Sequence, residues 1–403
     1  MRKAAMFLCC LLAGCAAWAQ SSRVDSMAVR LADEGFANVR AVETADYTVF
    51  TIENDRYKIP SEGFAYAAKL IEASGLGVSK PVKVIGTSFK IPEVTLTYED
   101  GSWSTTKRLD ASWDAVRKQR KLNNSFGKID LVVYPQVSLM NLIINQVYQS
   151  LFTLNPTLEV SLWPGAKLTY QLVIPIFTDF FEDRYYKVHP GFITLSQHFR
   201  DPWHLNIQGT LTIGNFSNNR YGAALEAWYY FPNERFSIDA QLGVVALSYF
   251  EGFVWRHTLE PSFLWSVGGN YYNAALKTQF SLHAARFMMG DYGLKFEMIR
   301  HFRHCSIGFY LEKGGDLVPG KLKFETIAKT NGGFRFQIAL PPYRMKRHGY
   351  IPRVNTSGQM GMGYNANNEQ YYYKEYKTEA SDNIMSNNYY NPYYINSRLR
   401  ESE

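Results

Sequence analysis

The stretch WHLNIQGTLTIGN, residues 203–215, alternates almost without error. Leu205, Ile207, Gly209, Leu211 and Ile213 fall on one parity; Asn206, Gln208, Thr210 and Thr212 fall on the other. Successive side chains of a strand point to opposite faces, so the run specifies a strand with one apolar and one polar side. The letters do not say which side meets water. In a soluble sheet the apolar side covers a core, whereas in a closed membrane barrel it meets lipid and the polar side lines a lumen.

The same texture recurs from about residue 127 onward. Leu158, Val160 and Leu162 alternate with Glu159 and Ser161, and Tyr170, Leu172, Ile174 and Ile176 with Thr169 and Gln171. Ile238, Leu242 and Val244 oppose Asp239 and Gln241; Leu276, Phe280 and Leu282 oppose Lys277, Gln279 and His283; Leu294 and Phe296 oppose Lys295 and Glu297; Phe334, Phe336 and Ile338 oppose Arg335 and Gln337. Turn signals such as Trp163-Pro164-Gly165 and Phe231-Pro232-Asn233 separate the runs. This predicts about a dozen antiparallel strands of roughly 8–12 residues, the length of a tilted bilayer-crossing strand. Aromatics make up 15% of the chain. Several cluster where strands end: Tyr185 and Tyr186, Phe199 and Trp203, Tyr229 to Phe231, Tyr249 and Phe250, Tyr271 and Tyr272. Rings at both ends of an apolar band are the girdles of a membrane barrel. The expected fold is therefore mainly β: an antiparallel outer-membrane barrel over residues 127–345, with outer-membrane lipid as partner. The candidate lumen-facing residues are Asn206, Gln208, Thr210, Thr212, Glu226, Asp239, Gln241, Lys277, Gln279, Lys295, Glu297, Arg335 and Gln337.

The opening MRKAAMFLCCLLAGCAAWAQ has a basic end, an apolar run and Ala17-Trp18-Ala19, the form of an export signal over residues 1–19. Leu12-Ala13-Gly14-Cys15 also reads as a lipobox, which makes Cys15 a lipidation candidate. Cleavage after Ala19 is preferred, because cutting before Cys15 leaves a very short apolar run. Only Cys305 then remains, which excludes an internal disulfide framework. Residues 20–105 read as a small periplasmic α/β domain, with helices at Val24–Leu31 and from Ser61 to Gly75 and strands at Tyr47–Ile52, Val82–Phe89 and Val94–Tyr98. Residues 106–126 form a basic amphipathic linker with Leu109, Trp113 and Val116 on one stripe; docking of that stripe on its neighbour is preferred to membrane contact. Residues 346–403, rich in Asn and Tyr, are expected to be a flexible tail.

No nucleophile elbow, phosphate loop or zinc-helix motif is present, and the net charge of +7 comes with no nucleic-acid motif. His301, His304 and Cys305 resemble ligands only in spelling, since positions 301 and 304 of a strand point apart. No catalytic residue, metal or cofactor is assigned. Carboxylates on the polar parity leave open an outer-membrane enzyme acting on lipid or glycan, and the alternation itself leaves open a secreted, lipid-anchored glycan-binding β-sandwich.

Residues 286–341 resemble the closing portion of the YjbH-like family of outer-membrane exopolysaccharide-production proteins. The matching features are Gly290-Asp291-Tyr292-Gly293, Arg300 with Phe302, Ile307-Gly308-Phe309, and Gly333-Phe334 before a strand that ends at Pro341. Tyr229-Tyr230-Phe231 with Arg235-Phe236 is similar to an earlier strand pair. The resemblance implies a Gram-negative outer-membrane barrel that takes part, without catalysis, in exopolysaccharide or capsule assembly or export. Polysaccharide and other export or biosynthesis proteins are the partners it implies. This chain is shorter than many relatives, and its lipobox is ambiguous.

Overall fold

The computed structural model describes residues 23–141, 148–179, 183–288, 290–318, 321–323, 330–345, 353–356, 360–365 and 375–401. The export signal and Cys15 lie outside the described residues.

The N-terminal unit contains α1 (23–33), β1 (Ala37–Glu43), β2 (Thr48–Glu53), α2 (Pro60–Ser74), β3 (Val82–Ser88), β4 (Ile91–Glu99) and β5 (Ser102–Thr106). Its five strands pair in chain order, and only β2 and β3 are parallel. A parallel pair needs a crossover, which α2 supplies. Pro60 opens that helix and Gly75 closes it in the left-handed conformation, φ 71°. Ser61, where the sequence places the start of the helix, lies inside its first turn. Phe64, Ala67, Ala68 and Ile71 bury against Val84, Val94 and Leu96. A short helix, α3 (Ala111–Val116), then starts at Asp110, whose carboxylate accepts the Ser112 N–H. Val116 and Trp113 pack on Val49 and Ile85, so the apolar stripe of the basic segment is spent on the neighbouring sheet.

The second sheet is a meander of twelve antiparallel strands: β6 (Lys128–Asn141), β7 (Tyr148–Ser161), β8 (Ala166–Thr178), β9 (His189–Arg200), β10 (Ile207–Phe216), β11 (Arg220–Tyr230), β12 (Phe236–Glu251), β14 (Ser262–Asn273), β15 (Thr278–Arg286), β16 (Tyr292–His301), β17 (Cys305–Val318) and β19 (Thr330–Ile338). Two short strands, β13 (Val254–His257) and β18 (Lys321–Lys323), extend β12 and β17 as hairpins. At the end facing the N-terminal unit the connections at 162–165 and 302–304 are tight and that at 201–206 is longer; the hairpin extensions lie at the other end, together with the short turn at 217–219. Two final strands flank the sheet: β20 (Arg353–Thr356) runs parallel to β6, and β21 (Met360–Asn365) antiparallel to β19.

The exposure of the two parities is inverted relative to a soluble sheet. Leu211 is 47% exposed and Ile213 50%, whereas Thr210 is 8% and Thr212 1%. The same holds along the meander: Leu158, Ile238, Val244, Phe263, Leu282, Phe296 and Phe309 are exposed, while Thr157, Lys167, Thr169, Ser196, Ser281, Lys295 and Glu312 are buried. The aromatic runs serve both faces. Tyr271 lies beside Phe236 on the outer surface and Tyr272 is buried; Tyr229 meets Phe231 edge to face, and Tyr230 turns inward.

The polar face is covered by residues 375–391. Residues 375–391 pass along the polar face, and α4 (Pro392–Glu401) then packs on α2 and β5. Ile395 and Leu399 enter the core of the N-terminal unit. The expectation of a flexible tail over residues 346–403 is thus corrected for 375–401, and for the two short strands at 353–356 and 360–365. The segment has few aliphatic residues because its surroundings are polar, and the few it has are used: Ile384, Met385, Ile395 and Leu399 are all buried.

The N-terminal unit therefore does not complete its core without α4. Ile395→Ala deletes a fully buried side chain and should cost about 2–4 kcal/mol. A shifted urea midpoint of the N-terminal unit, read by far-ultraviolet circular dichroism, checks this.

Candidate functional site

The polar face and residues 375–391 enclose a cavity of about 1160 Å³. Its wall is set by register. Residues directly opposed in an antiparallel pair share a face, and pairing carries one row across eight strands: Gln208, Trp228, Asp239, Gly268, His283, Lys295, Glu312 and Asn331. Gly268 is required in that row, because a Cβ there would meet the His283 ring at 2.3 Å. The gap lets His283 reach across one strand, placing Nε2 2.9 Å from Asp239 Oδ2, while Asn270 donates to Asp239 Oδ1 at 2.5 Å. A second row carries His198, Thr210, Glu226, Gln241 and Ser266.

The acids of the wall are matched mostly by groups of the wall and of the N-terminal unit. Gln241 donates to Glu226 at 2.9 Å, Arg335 to Glu297 at 3.3 Å, Asn331 to Glu312 at 3.3 Å, and Tyr134 to Glu159 at 2.9 Å. At the end near the N-terminal unit, Glu93 accepts from Gln208 at 2.6 Å and from Lys107 Nζ at 3.3 Å. Glu234, in a turn, accepts from the Thr106 hydroxyl and the Lys107 N–H, each at 2.7 Å.

Two wall lysines are matched differently. Lys167 pairs with Glu379 and Lys295 with Glu375, both carboxylates belonging to the C-terminal segment. His198 Nε2 lies 3.4 Å from the second oxygen of Glu379, and its ring stacks on Phe89 at 5.1 Å. Between these contacts the Tyr376 ring stacks on Phe216 at 5.6 Å, and its hydroxyl fits only because residue 243 is glycine, where a Cβ would lie 1.9 Å away. Thr378 donates to Glu226 at 2.9 Å.

Of the candidate lumen-facing residues, Gln208, Thr210, Glu226, Asp239, Gln241, Gln279, Lys295, Glu297, Arg335 and Gln337 line this cavity. Thr212 also points inward, 3.1 Å from the Ser196 hydroxyl, beyond the cavity. Asn206 and Lys277 do not belong to the wall. Asn206 precedes β10 at φ 56° and accepts from Arg200; Lys277 closes the turn between β14 and β15 at φ 49°. In both places the alternation is interrupted by a left-handed turn residue, so its parity carries no face. Lys167, His198, His283 and Glu312 were not among the candidates, although Lys167 sits two positions before Thr169 on the same parity. Glu375 and Glu379 had no local signal at all.

His301 and His304 diverge: His301 Nδ1 meets Ser306 inside, and His304 meets Glu62 of α2. No group of three or more histidine, cysteine or acidic side chains placed to hold a metal occurs among the described residues. Thr210, His198 and Glu379 do form a hydroxyl, imidazole and carboxylate row, with Thr210 Oγ1 2.8 Å from His198 Nδ1. Its carboxylate is shared with the Lys167 ammonium, and its hydroxyl is almost wholly buried.

Burial at the junction pushes the Lys107 ammonium down to about 8, with Glu93 opposing the fall. Between that value and the ordinary lysine value of 10.5 the unfolded chain holds a proton that the folded chain has released. Stability should accordingly rise with pH across this window, by about 3 kcal/mol at most. Lys107→Met should flatten the rise, as read from urea midpoints of the two proteins at pH 7.5 and 10. Searches of protein-family models, curated proteins and solved structures return no match to this chain.

Proposed function

We propose that this chain is an outer-membrane protein of Gram-negative bacteria whose meander closes into a barrel, with the N-terminal unit in the periplasm, and that it takes part non-catalytically in exopolysaccharide or capsule assembly or export. The observation that carries the membrane reading is the inverted sheet. A dozen strands expose their Leu, Ile, Val and Phe side chains and bury Thr, Ser, Gln and charged ones. In water such a surface would be unfavourable by roughly 25 cal/mol per Å² of apolar area left uncovered, and in lipid it is the favoured face. Closure is supported by the last two strands: β20 and β21 are three residues apart, and one pairs with β6 while the other pairs with β19, the two ends of the meander. Tight turns at 162–165 and 302–304, hairpin extensions at the other end and exposed rings such as Trp203, Phe231 and Tyr249 at the strand ends match the same arrangement. No described helix is long and apolar enough to cross a membrane.

The polysaccharide role draws on the resemblance of residues 286–341 to the YjbH-like proteins and on the character of the cavity. Amide, hydroxyl and carboxylate groups with the rings of Trp228, Tyr230 and Tyr310 suit sugar hydroxyls and sugar faces. With residues 375–391 inside, the barrel serves as an accessory or docking component rather than an open conduit. The enzyme reading rests on Thr210, His198 and Glu379, and the burial of the hydroxyl weighs against it.

Leu211→Arg places a charge on the exposed face and should cost about 2–4 kcal/mol in lipid, enough to remove the protein from the outer-membrane fraction. Glu226→Gln, on the inner face, should leave it there with the heat-dependent gel shift of a closed barrel. Equal behaviour of the two variants would sink the orientation. Loss of cell-surface polysaccharide in a deletion strain, restored by the wild-type gene, tests the role.

A further inference from the structure

We infer that the C-terminal segment is an intramolecular stand-in for an acidic polysaccharide: Glu375 on Lys295, and Glu379 on Lys167 beside His198, fill two anion sockets that a uronate-bearing chain takes over as the segment withdraws. The inference rests on the barrel and polysaccharide reading above and names the substrate class of the cavity.

The charge pattern of the wall carries it. Glu93, Glu159, Glu297 and Glu312 each have a hydrogen-bond or ion-pair partner outside the segment, and Asp239 has His283 and Asn270. Lys167 and Lys295, 1% and 6% exposed, take their ion-pair carboxylates from the segment. A buried ammonium stripped of its counter-ion is strongly destabilising, far more than a pair is stabilising. Withdrawal of the segment is therefore disfavoured unless other carboxylates arrive, which makes release conditional on an anionic ligand. A neutral chain would replace neither ion-pair carboxylate.

The segment also has the form of the ligand it stands for. From 375 to 379 it is neither helix nor strand, and four residue steps put the Cα atoms of the two glutamates at most about 14 Å apart. The ring of Tyr376 between them lies flat on Phe216, in space kept open by Gly243. Thr378 supplies a hydroxyl to Glu226. With the Lys377 ammonium turned back onto the Asp382 carbonyl, the segment offers the wall two carboxylates, a ring and a hydroxyl, groups that an oligouronate also carries. Withdrawal at the sockets leaves the segment tethered, because Ile395 and Leu399 stay in the core of the N-terminal unit.

The test is calorimetric titration of the full-length protein, purified in detergent, with tetragalacturonate and with cellotetraose. Tetragalacturonate should bind the wild type in preference to cellotetraose, and about tenfold more tightly to the Glu375→Gln/Glu379→Gln variant, whose segment no longer competes. Lys167→Gln/Lys295→Gln should lose about tenfold for tetragalacturonate, with cellotetraose unchanged. Gly243→Leu, which displaces Tyr376 and alters no charge, should tighten tetragalacturonate as well and gives a second arm if the lysine variant fails to fold. Equal binding of the two oligomers, or no gain in either segment variant, overturns the inference. Such a result would leave the heat-dependent gel shift and membrane fractionation of the wild type intact, whereas failure of the barrel reading appears in those two measurements themselves.

Discussion

A sheet that buries its polar face must match that face group by group. A buried hydroxyl, amide or charge without a partner costs more than most contacts return, so the rest of this structure follows from how the matching is done. Some of it is settled within the sheet, as where His283 reaches past Gly268 to Asp239. The remainder is settled by importing a polar strip of chain. Residues 375–391 bring carboxylates to lysines, a hydroxyl to Glu226, and the Asn388 amide to Gln279. The interior is thus a polar core assembled from two distant parts of one chain, where an ordinary domain has an apolar one.

That arrangement ties the two ends of the molecule together. The segment leaves the polar face directly into α4, and α4 completes an apolar core that includes Leu31, Phe64, Ile71 and Leu96. At the same junction Lys107 bridges Glu93 of the N-terminal unit and Gln208 of the sheet, and the Lys90 ammonium donates to the Leu162 carbonyl. A change in the seat of the segment is consequently felt by the N-terminal unit through covalent continuity and a shared core, with no need for a long relay of side chains.

What the sequence makes legible is what is local. Period-2 alternation shows strand, face and approximate length from a few neighbours, so ten of the thirteen candidate residues line the cavity and an eleventh, Thr212, points inward beside it. The two misassigned positions fail for a local reason too: Asn206 and Lys277 have positive φ, where alternation ceases to define a face. The C-terminal segment is different in kind. Glu375 meets its lysine across 80 residues and Glu379 across 212, with no periodicity in between to announce either contact. A polar, aromatic strip with few aliphatic residues reads as unstructured wherever the expected solvent is water, because nothing in it would repay ordering against an apolar core.

The same strip orders here because its surroundings reverse that accounting. Against an apolar wall, Glu375, Lys377, Glu379 and a run of asparagines would each lose water with nothing in return. Against a wall that buries ammonium and amide groups, Glu375, Glu379 and Asn388 supply partners the wall needs, while Lys377 and Asn383 are satisfied within the segment itself. Ordering of the segment and burial of the lysines are hence mutually dependent: neither is favourable alone, and each removes the penalty of the other. A composition that signals disorder in one environment is, in the inside of an inverted sheet, the composition of a core.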